Sequence, residues 1–157
     1  MANRYEAMLV YLSRCPAMQG VFSFQAGQAR SDTVQVLLEA GDAQNNRPFI
    51  DGSVEKRFDF TVAFYKPVNH TGYMPDKGAG NLNLEGILDV QQLIDWLSAQ
   101  NAARNYPDFG EKKQIDSVRS LNNEPVLAWL DGEHYNPPLA KYTVTVRVEY
   151  IDYTNAI

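Results

Sequence analysis

Residues 140–151 read Ala-Lys-Tyr-Thr-Val-Thr-Val-Arg-Val-Glu-Tyr-Ile, and this stretch decides the fold. Apolar and polar side chains alternate along all of it. One face carries Tyr142, Val144, Val146, Val148 and Tyr150, and the other carries Thr143, Thr145, Arg147 and Glu149. A period of two residues is typical of a half-buried antiparallel strand. We therefore predict a long strand here that organises a sheet.

Two amphipathic helices are predicted before this strand. The first runs from about Asn3 to Arg14 and ends before Pro16, because proline cannot continue a helix. The second runs from Leu84 to Gln100, with Asn83 as its N-cap. The apolar stripes that should face the sheet are Tyr5, Met8, Leu9 and Leu12 in the first helix, and Ile87, Val90, Ile94 and Leu97, flanked by Leu93 and Trp96, in the second.

The remaining strand-like stretches come in runs and do not alternate with helices. They are a short apolar run at Val21–Phe24, Thr33–Glu39, the aromatic stretch Phe58–Tyr65, Gln114–Leu121 and Pro125–Leu130, with a turn at Asn122–Glu124 between the last two. We expect Thr33–Glu39 and Phe58–Tyr65 to pair as antiparallel neighbours. The order predicts one α+β domain over residues 1–157, with a mainly antiparallel sheet of about four to six strands and two helices packed on one face.

Composition narrows the classes of function. The 157 residues carry a formal net charge of -5, which disfavours nonspecific binding to nucleic acid. Cys15 is the only cysteine, so a disulfide within the chain is excluded, and next to Pro16 we interpret it as an inert, partly buried thiol rather than a nucleophile. The sequence shows no signal peptide and no apolar run of ~20 residues, so we expect synthesis in the cytoplasm and no membrane association.

Motifs for catalysis are weak. His70 and His134 lie in two long loops, Pro67–Gly80 and Asp131–Pro138, without the further ligands at the spacing of a zinc site. No glycine-rich phosphate-binding motif and no nucleophile motif is present. We expect no enzymatic activity, no cofactor and no metal. A small enzyme or ligand-binding domain that uses the His70 and His134 loops is the alternative.

Aromatic residues in the same loops point to surfaces. Tyr73 and Met74 lie in the first loop and Tyr135 in the second, and both residue types are common anchors at protein interfaces. A loop tyrosine can equally pack against its own domain. The prolines and glycines of the first loop argue against regular structure, and loops of this length are often functional. We interpret the first loop as an assembly arm.

Four features of the C-terminal half occur in a recognisable order. They are the helix segment Leu93-Ile-Asp-Trp-Leu-Ser-Ala-Gln100, the polar stretch Tyr106–Glu111 with a strand after it, a strand ending Leu127-Ala-Trp-Leu-Asp-Gly132, and Leu139-Ala-Lys-Tyr-Thr-Val-Thr-Val-Arg-Val-Glu-Tyr150. Together they resemble the tail terminator and minor capsid proteins of the neck of long-tailed bacteriophages. The resemblance covers about residues 83–153, and its motifs are patterns of packing without a chemical signature.

The resemblance implies a structural protein of the virion, assembled in the host cytoplasm. A helix-backed sheet would form a hexameric ring that caps the tail tube and offers a surface to head-completion proteins. DNA would pass through the lumen without specific binding. Another head–tail connector of the neck is the alternative within this class. The candidate interface residues are Tyr73, Met74, Lys77, Arg147 and Glu149, and we expect Arg147 to meet a carboxylate of a neighbouring subunit.

Overall fold

A computed structural model describes residues 3–18, 22–24, 33–38, 46–68, 82–135 and 138–157. In chain order the elements are helix α1 (Arg4–Leu12), a 3-10 turn (Pro16–Met18), strands β1 (Phe22–Phe24), β2 (Thr33–Leu38), β3 (Arg47–Pro48) and β4 (Val54–Pro67), helix α2 (Leu82–Ala102), and strands β5 (Lys113–Ser120), β6 (Val126–Asp131) and β7 (Leu139–Asp152).

Strand β7 lies at the centre of the sheet, as its alternating sequence predicts. It pairs antiparallel with β4 along its whole length, from Leu139 opposite Pro67 to Asp152 opposite Val54. The strand order is β1-β2-β4-β7-β5, with β3 beside β4 and β6 beside β7. The predicted antiparallel pair of β2 and β4 is confirmed, and β1 pairs parallel to β2. The α+β class and the mainly antiparallel sheet are therefore confirmed.

The core lies between the two helices and one face of the sheet. Phe60 is opposite Val146 and Val62 is opposite Val144, and none of these four side chains is exposed. Both helices contribute to this core, with Met8, Tyr11 and Leu12 from α1 and Val90, Leu93, Ile94 and Leu97 from α2. Each aliphatic side chain buried here contributes roughly 1.5–3 kcal/mol. The packing of both helices on one face is confirmed.

Two details of the predicted helices are wrong, and a third is only partly right. Tyr5 is 37% exposed, but its ring packs edge-on against the Phe58 ring of the sheet, 5.5 Å away between centroids. Ile87, which was expected in the apolar stripe of the second helix, is 40% exposed. Gly86 takes the buried position of α2 instead, because the helix approaches β4 so closely that a Cβ there would lie 3.1 Å from the Cβ of Lys66. Helix α2 also begins at Leu82, so Asn83 lies within its first turn and does not precede the helix as an N-cap.

Strands β5 and β6 are two pieces of one sheet edge. Both pair antiparallel with β7, β5 with residues 146–152 and β6 with residues 139–143, and they do not pair with each other. The predicted turn at Asn122–Glu124 is therefore a bend along the edge. At this bend the Leu121 N–H donates to the Thr145 carbonyl, and the Asn122 side chain accepts from the Thr145 N–H. These bonds continue the contact between the edge and β7 across the gap between β5 and β6.

Candidate assembly surfaces

The sheet face opposite the helices carries paired charges. Arg147 on β7 lies opposite Asp59 on β4, and its Nε and Nη2 each donate to one carboxylate oxygen of Asp59 at 3.0 Å. The two side chains are 20% and 14% exposed. A two-point guanidinium–carboxylate contact has fixed geometry and is stronger than a neutral hydrogen bond. The partner expected on a neighbouring subunit is thus replaced by one within the chain.

Glu149 belongs to the same charged surface. It accepts from Arg119 of β5 at 3.0 Å and lies opposite Arg57 of β4. A groove of about 240 Å³ opens here, lined by Glu55, Lys56, Arg57, Arg119, Arg147 and Glu149. The cations of this lining are offset by Glu55 and Glu149 and by two further carboxylates, Asp59 and Asp152. The face therefore does not form a basic patch, and the assignment of Arg147 and Glu149 to an interface stays a prediction.

A small aromatic cluster covers the other end of this face. Ala63, Tyr65 and Leu139 are buried there, and Trp129 and Tyr135 pack against them. The Trp129 ring lies 5.8 Å from the Tyr65 ring and stacks on the Tyr135 ring at 6.5 Å, between centroids. Tyr135 therefore packs against its own domain, one of its two interpretations from sequence. Burial raises the pKa of the Tyr65 hydroxyl.

The second long loop is organised by Asp131. Its Oδ1 accepts from the backbone N–H groups of Glu133 and His134, and its Oδ2 lies 2.9 Å from Nδ1 of His134. The hydrogen bond from the His134 N–H is the main cause that lowers the pKa of Asp131. The His134 side chain is 75% exposed. This arrangement is a polar turn, and within the described ranges no three His, Cys, Asp or Glu residues could hold a metal ion.

Four sequence-predicted site residues, His70, Tyr73, Met74 and Lys77, lie outside the described residues. Cys15, which was expected to be partly buried, is completely buried, and burial raises the pKa of its thiol. None of the helices in the described part of the chain is long and apolar enough to span a membrane.

The β6 edge is a surface that sequence reasoning missed. Val126, Leu127 and Leu130 are 49%, 54% and 59% exposed, an unusual concentration of large aliphatic side chains on one six-residue strand. The available signal was the run Val126-Leu-Ala-Trp-Leu130, which is apolar without alternation. Such a run is typical of a strand buried on both faces, so its exposed position here identifies a surface.

Comparison of the sequence with known protein families found no match, and comparison with curated proteins found none either.

Proposed function

We propose that this chain is a structural virion protein of a long-tailed bacteriophage. In this role it forms a hexameric ring that caps the tail tube and binds the head-completion protein. The observation that carries the proposal is the helix-backed sheet. The resemblance implies a helix-backed sheet, and in the described residues two helices pack on one face of a mainly antiparallel sheet.

The charges of the open sheet face support the part of the proposal that concerns DNA. The guanidinium groups of Arg147 and Arg119 are held by Asp59 and Glu149 of the same chain. Nonspecific DNA binding relies on cations that neutralise phosphates. A lumen lined by such a balanced face would let DNA slide without holding it.

The exposed aliphatic side chains of β6 support the assembly part of the proposal. A ring of more than two identical subunits needs two different contact patches on each subunit. Exposed apolar patches with a polar rim are typical of protein–protein contacts. The β6 edge, flanked in sequence by Glu124 and Asp131, fits this description.

The test uses tail tubes of the same virus, assembled without any terminator. Purified protein is mixed with growing tubes, and tube lengths and tube ends are measured by electron microscopy. We expect growth to stop and a ring of density to occupy one end of each tube. Tubes that grow to the same length with and without the protein, with bare ends, would contradict tube capping.

The same experiment separates the second candidate. A head–tail connector of the neck would leave tube length unchanged and bind the portal side of DNA-filled heads. Co-sedimentation of the protein with such heads, in parallel with tubes, distinguishes the two roles directly.

A further inference from the structure

Strands β5 and β6 form two parts of the same sheet edge, and they differ in the hydrogen bonds of the backbone groups that point away from the sheet. On β5 the Val118 N–H donates to the Asn101 side chain at 3.2 Å, and the Asp116 carbonyl accepts from the Tyr106 hydroxyl at 3.0 Å. These caps occupy the positions that an added strand would need. Within the described ranges, the only strand that pairs with β6 is β7.

On β6, the backbone N–H and C=O groups that point away from the sheet are those of the exposed residues Leu127 and Leu130. Thr145 directs both its N–H and its carbonyl towards this edge. Because these directions alternate along a strand, Thr143 and Lys141 point the same way, towards their partners Val126 and Trp129. Strand β6 bulges between Leu127 and Trp129, and on either side of the bulge Leu127 and Leu130 direct their backbone groups away from β7. The same residues expose more than half of their side chains.

Strand β1, at the opposite edge of the sheet, lies at the same level as β6 along the strand direction. One row of aligned residues crosses the sheet through Phe22, Val34, Phe64, Tyr142 and Leu127, and the next row crosses it through Ser23, Gln35, Ala63, Thr143 and Val126. Strand β1 has β2 as its only described strand partner. The two end strands, β1 and β6, thus lie opposite one another across the sheet without an offset along the strands.

Strand directions make these two edges compatible. β1 runs parallel to β2 and β7, whereas β4 and β6 run the other way. If a second copy is placed beside the first by rotation about an axis along the strands, β6 meets β1 of the copy antiparallel. Both rows then fit one antiparallel register, with Leu127 opposite Phe22 and Val126 opposite Ser23 of the copy.

The sequence around the β6 edge is acidic. Residues 124–133 contain Glu124, Asp131 and Glu133 and no lysine or arginine. Like charges disfavour contact of two β6 edges with each other, so a contact with a different edge of the second copy is favoured over a symmetric one.

We propose that β6 of one subunit pairs antiparallel with β1 of a second copy, so that the sheets of neighbouring subunits join head to tail. Strand addition of this kind gains affinity from main-chain hydrogen bonds, and the apolar side chains at the edge add contact area. This contact would join the subunits of the ring described under the proposed function, and to that extent the inference rests on the proposed function.

Cysteine cross-linking tests the register. Residues directly opposite in an antiparallel pair have Cβ atoms about 4.5–5.5 Å apart, close enough for a disulfide after a small adjustment. Ser23→Cys/Val126→Cys in the full chain should, on mild oxidation, give a ladder of dimers, trimers and larger species. A mixture of the two single variants should give dimers only. No ladder from the double variant, or equally efficient cross-linking of Val126→Cys alone, would overturn the head-to-tail contact.

A matched pair of charge substitutions tests the surface. Leu127 and Leu88 are 54% and 56% exposed, but only Leu127 lies on the β6 edge. Leu127→Lys should raise the dissociation constant of the oligomer about tenfold or more in sedimentation measurements, since it buries a charge in the contact. Leu88→Lys should leave it unchanged, and circular dichroism should show both variants folded. Equal dissociation constants for the two variants, or a wild type that stays monomeric, would overturn the proposal.

Failure of this inference is distinguishable from failure of the proposed function. Rings that cap tubes but survive Leu127→Lys, with no cysteine ladder, would leave tube capping intact and make the β6–β1 contact wrong. A cysteine ladder from a protein that leaves tube growth unchanged would support the contact and contradict the capping role.

Discussion

Strands β5 and β6 share one partner strand but differ in how their outer edges are finished. The β5 edge is closed by the side chains of Asn101, at the end of α2, and Tyr106, just after it, and the Val118 side chain is completely buried. The β6 edge lies beyond that cover and exposes Leu127 and Leu130. Natural sheets protect edges that must stay unpaired. One half of the edge is therefore closed within the chain, whereas the other half carries a β-bulge between Leu127 and Trp129 and exposes two leucines.

The largest effect should come from removing the strand on which both halves depend. Truncation before Ala140 deletes the pairing partner of β4, β5 and β6 and removes Val144, Val146 and Val148 from the core. Their joint loss, at roughly 1.5–3 kcal/mol each, matches the stability of a typical domain. We expect an unfolded product, measured by circular dichroism and thermal melting. A soluble fragment ending at Leu139 that melts cooperatively would contradict this.

Truncating one side chain on β5 and one on β6 should show which of the two strands contributes to the core. Val118→Ala on β5 removes methyl groups from a site with 0% exposure, and we expect a loss of about 2 kcal/mol in the free energy of unfolding. Leu127→Ala on β6, at 54% exposure, should change it by less than about 0.5 kcal/mol. Urea denaturation of both variants at a concentration where the chain is monomeric measures the difference. Equal losses would mean that β6 is part of the core.

Removing a cap should make β5 resemble β6. Asn101→Ala leaves the partly buried Val118 N–H without its acceptor, which should cost about 1–2 kcal/mol. Thermal melting should show a lower Tm, by roughly 2–4 °C per kcal/mol for a chain of this size. The exposed Asn123 is a suitable control, and Asn123→Ala should melt like the wild type. Identical melting of both variants would show that the β5 cap does not contribute to stability.

The smallest effect concerns acid stability at the far end of β7. Burial raises the pKa of Asp152, but hydrogen bonds from Thr154 and Lys56 outweigh it and lower the pKa to about 2. Because the folded pKa lies below the ordinary value near ~3.9, this stabilisation is present above pH ~4 and is lost as the pH falls towards ~2. With solvent screening we expect about 1 kcal/mol.

Urea denaturation of wild type and Asp152→Asn between those pH values measures this contribution. The difference in unfolding free energy between the two proteins should shrink as the pH falls. A difference that stays constant across the range would place the acid sensitivity elsewhere.

The sequence by itself determined the elements whose pattern is local. The alternation from Tyr142 to Tyr150 and the aromatic strand Phe58–Tyr65 defined the central pair, because a period of two residues places one face in the core whatever the partner. The two helices, the class of the fold and the burial of Cys15 followed from the same local signals.

Only the tertiary structure decided which positions of these elements were covered. Ile87 and Gly86 are neighbours in one helix, and the close approach of α2 to Lys66 buries the glycine and exposes the isoleucine. Arg147 meets Asp59, 88 positions away, because the register of β4 and β7 aligns them. The run 126–130 reads as an interior strand, and it lies on an edge because β7 is its only strand partner among the described residues. Such long-range contacts leave no periodic signal in the sequence, and so the candidate assembly edge could be found only in the folded chain.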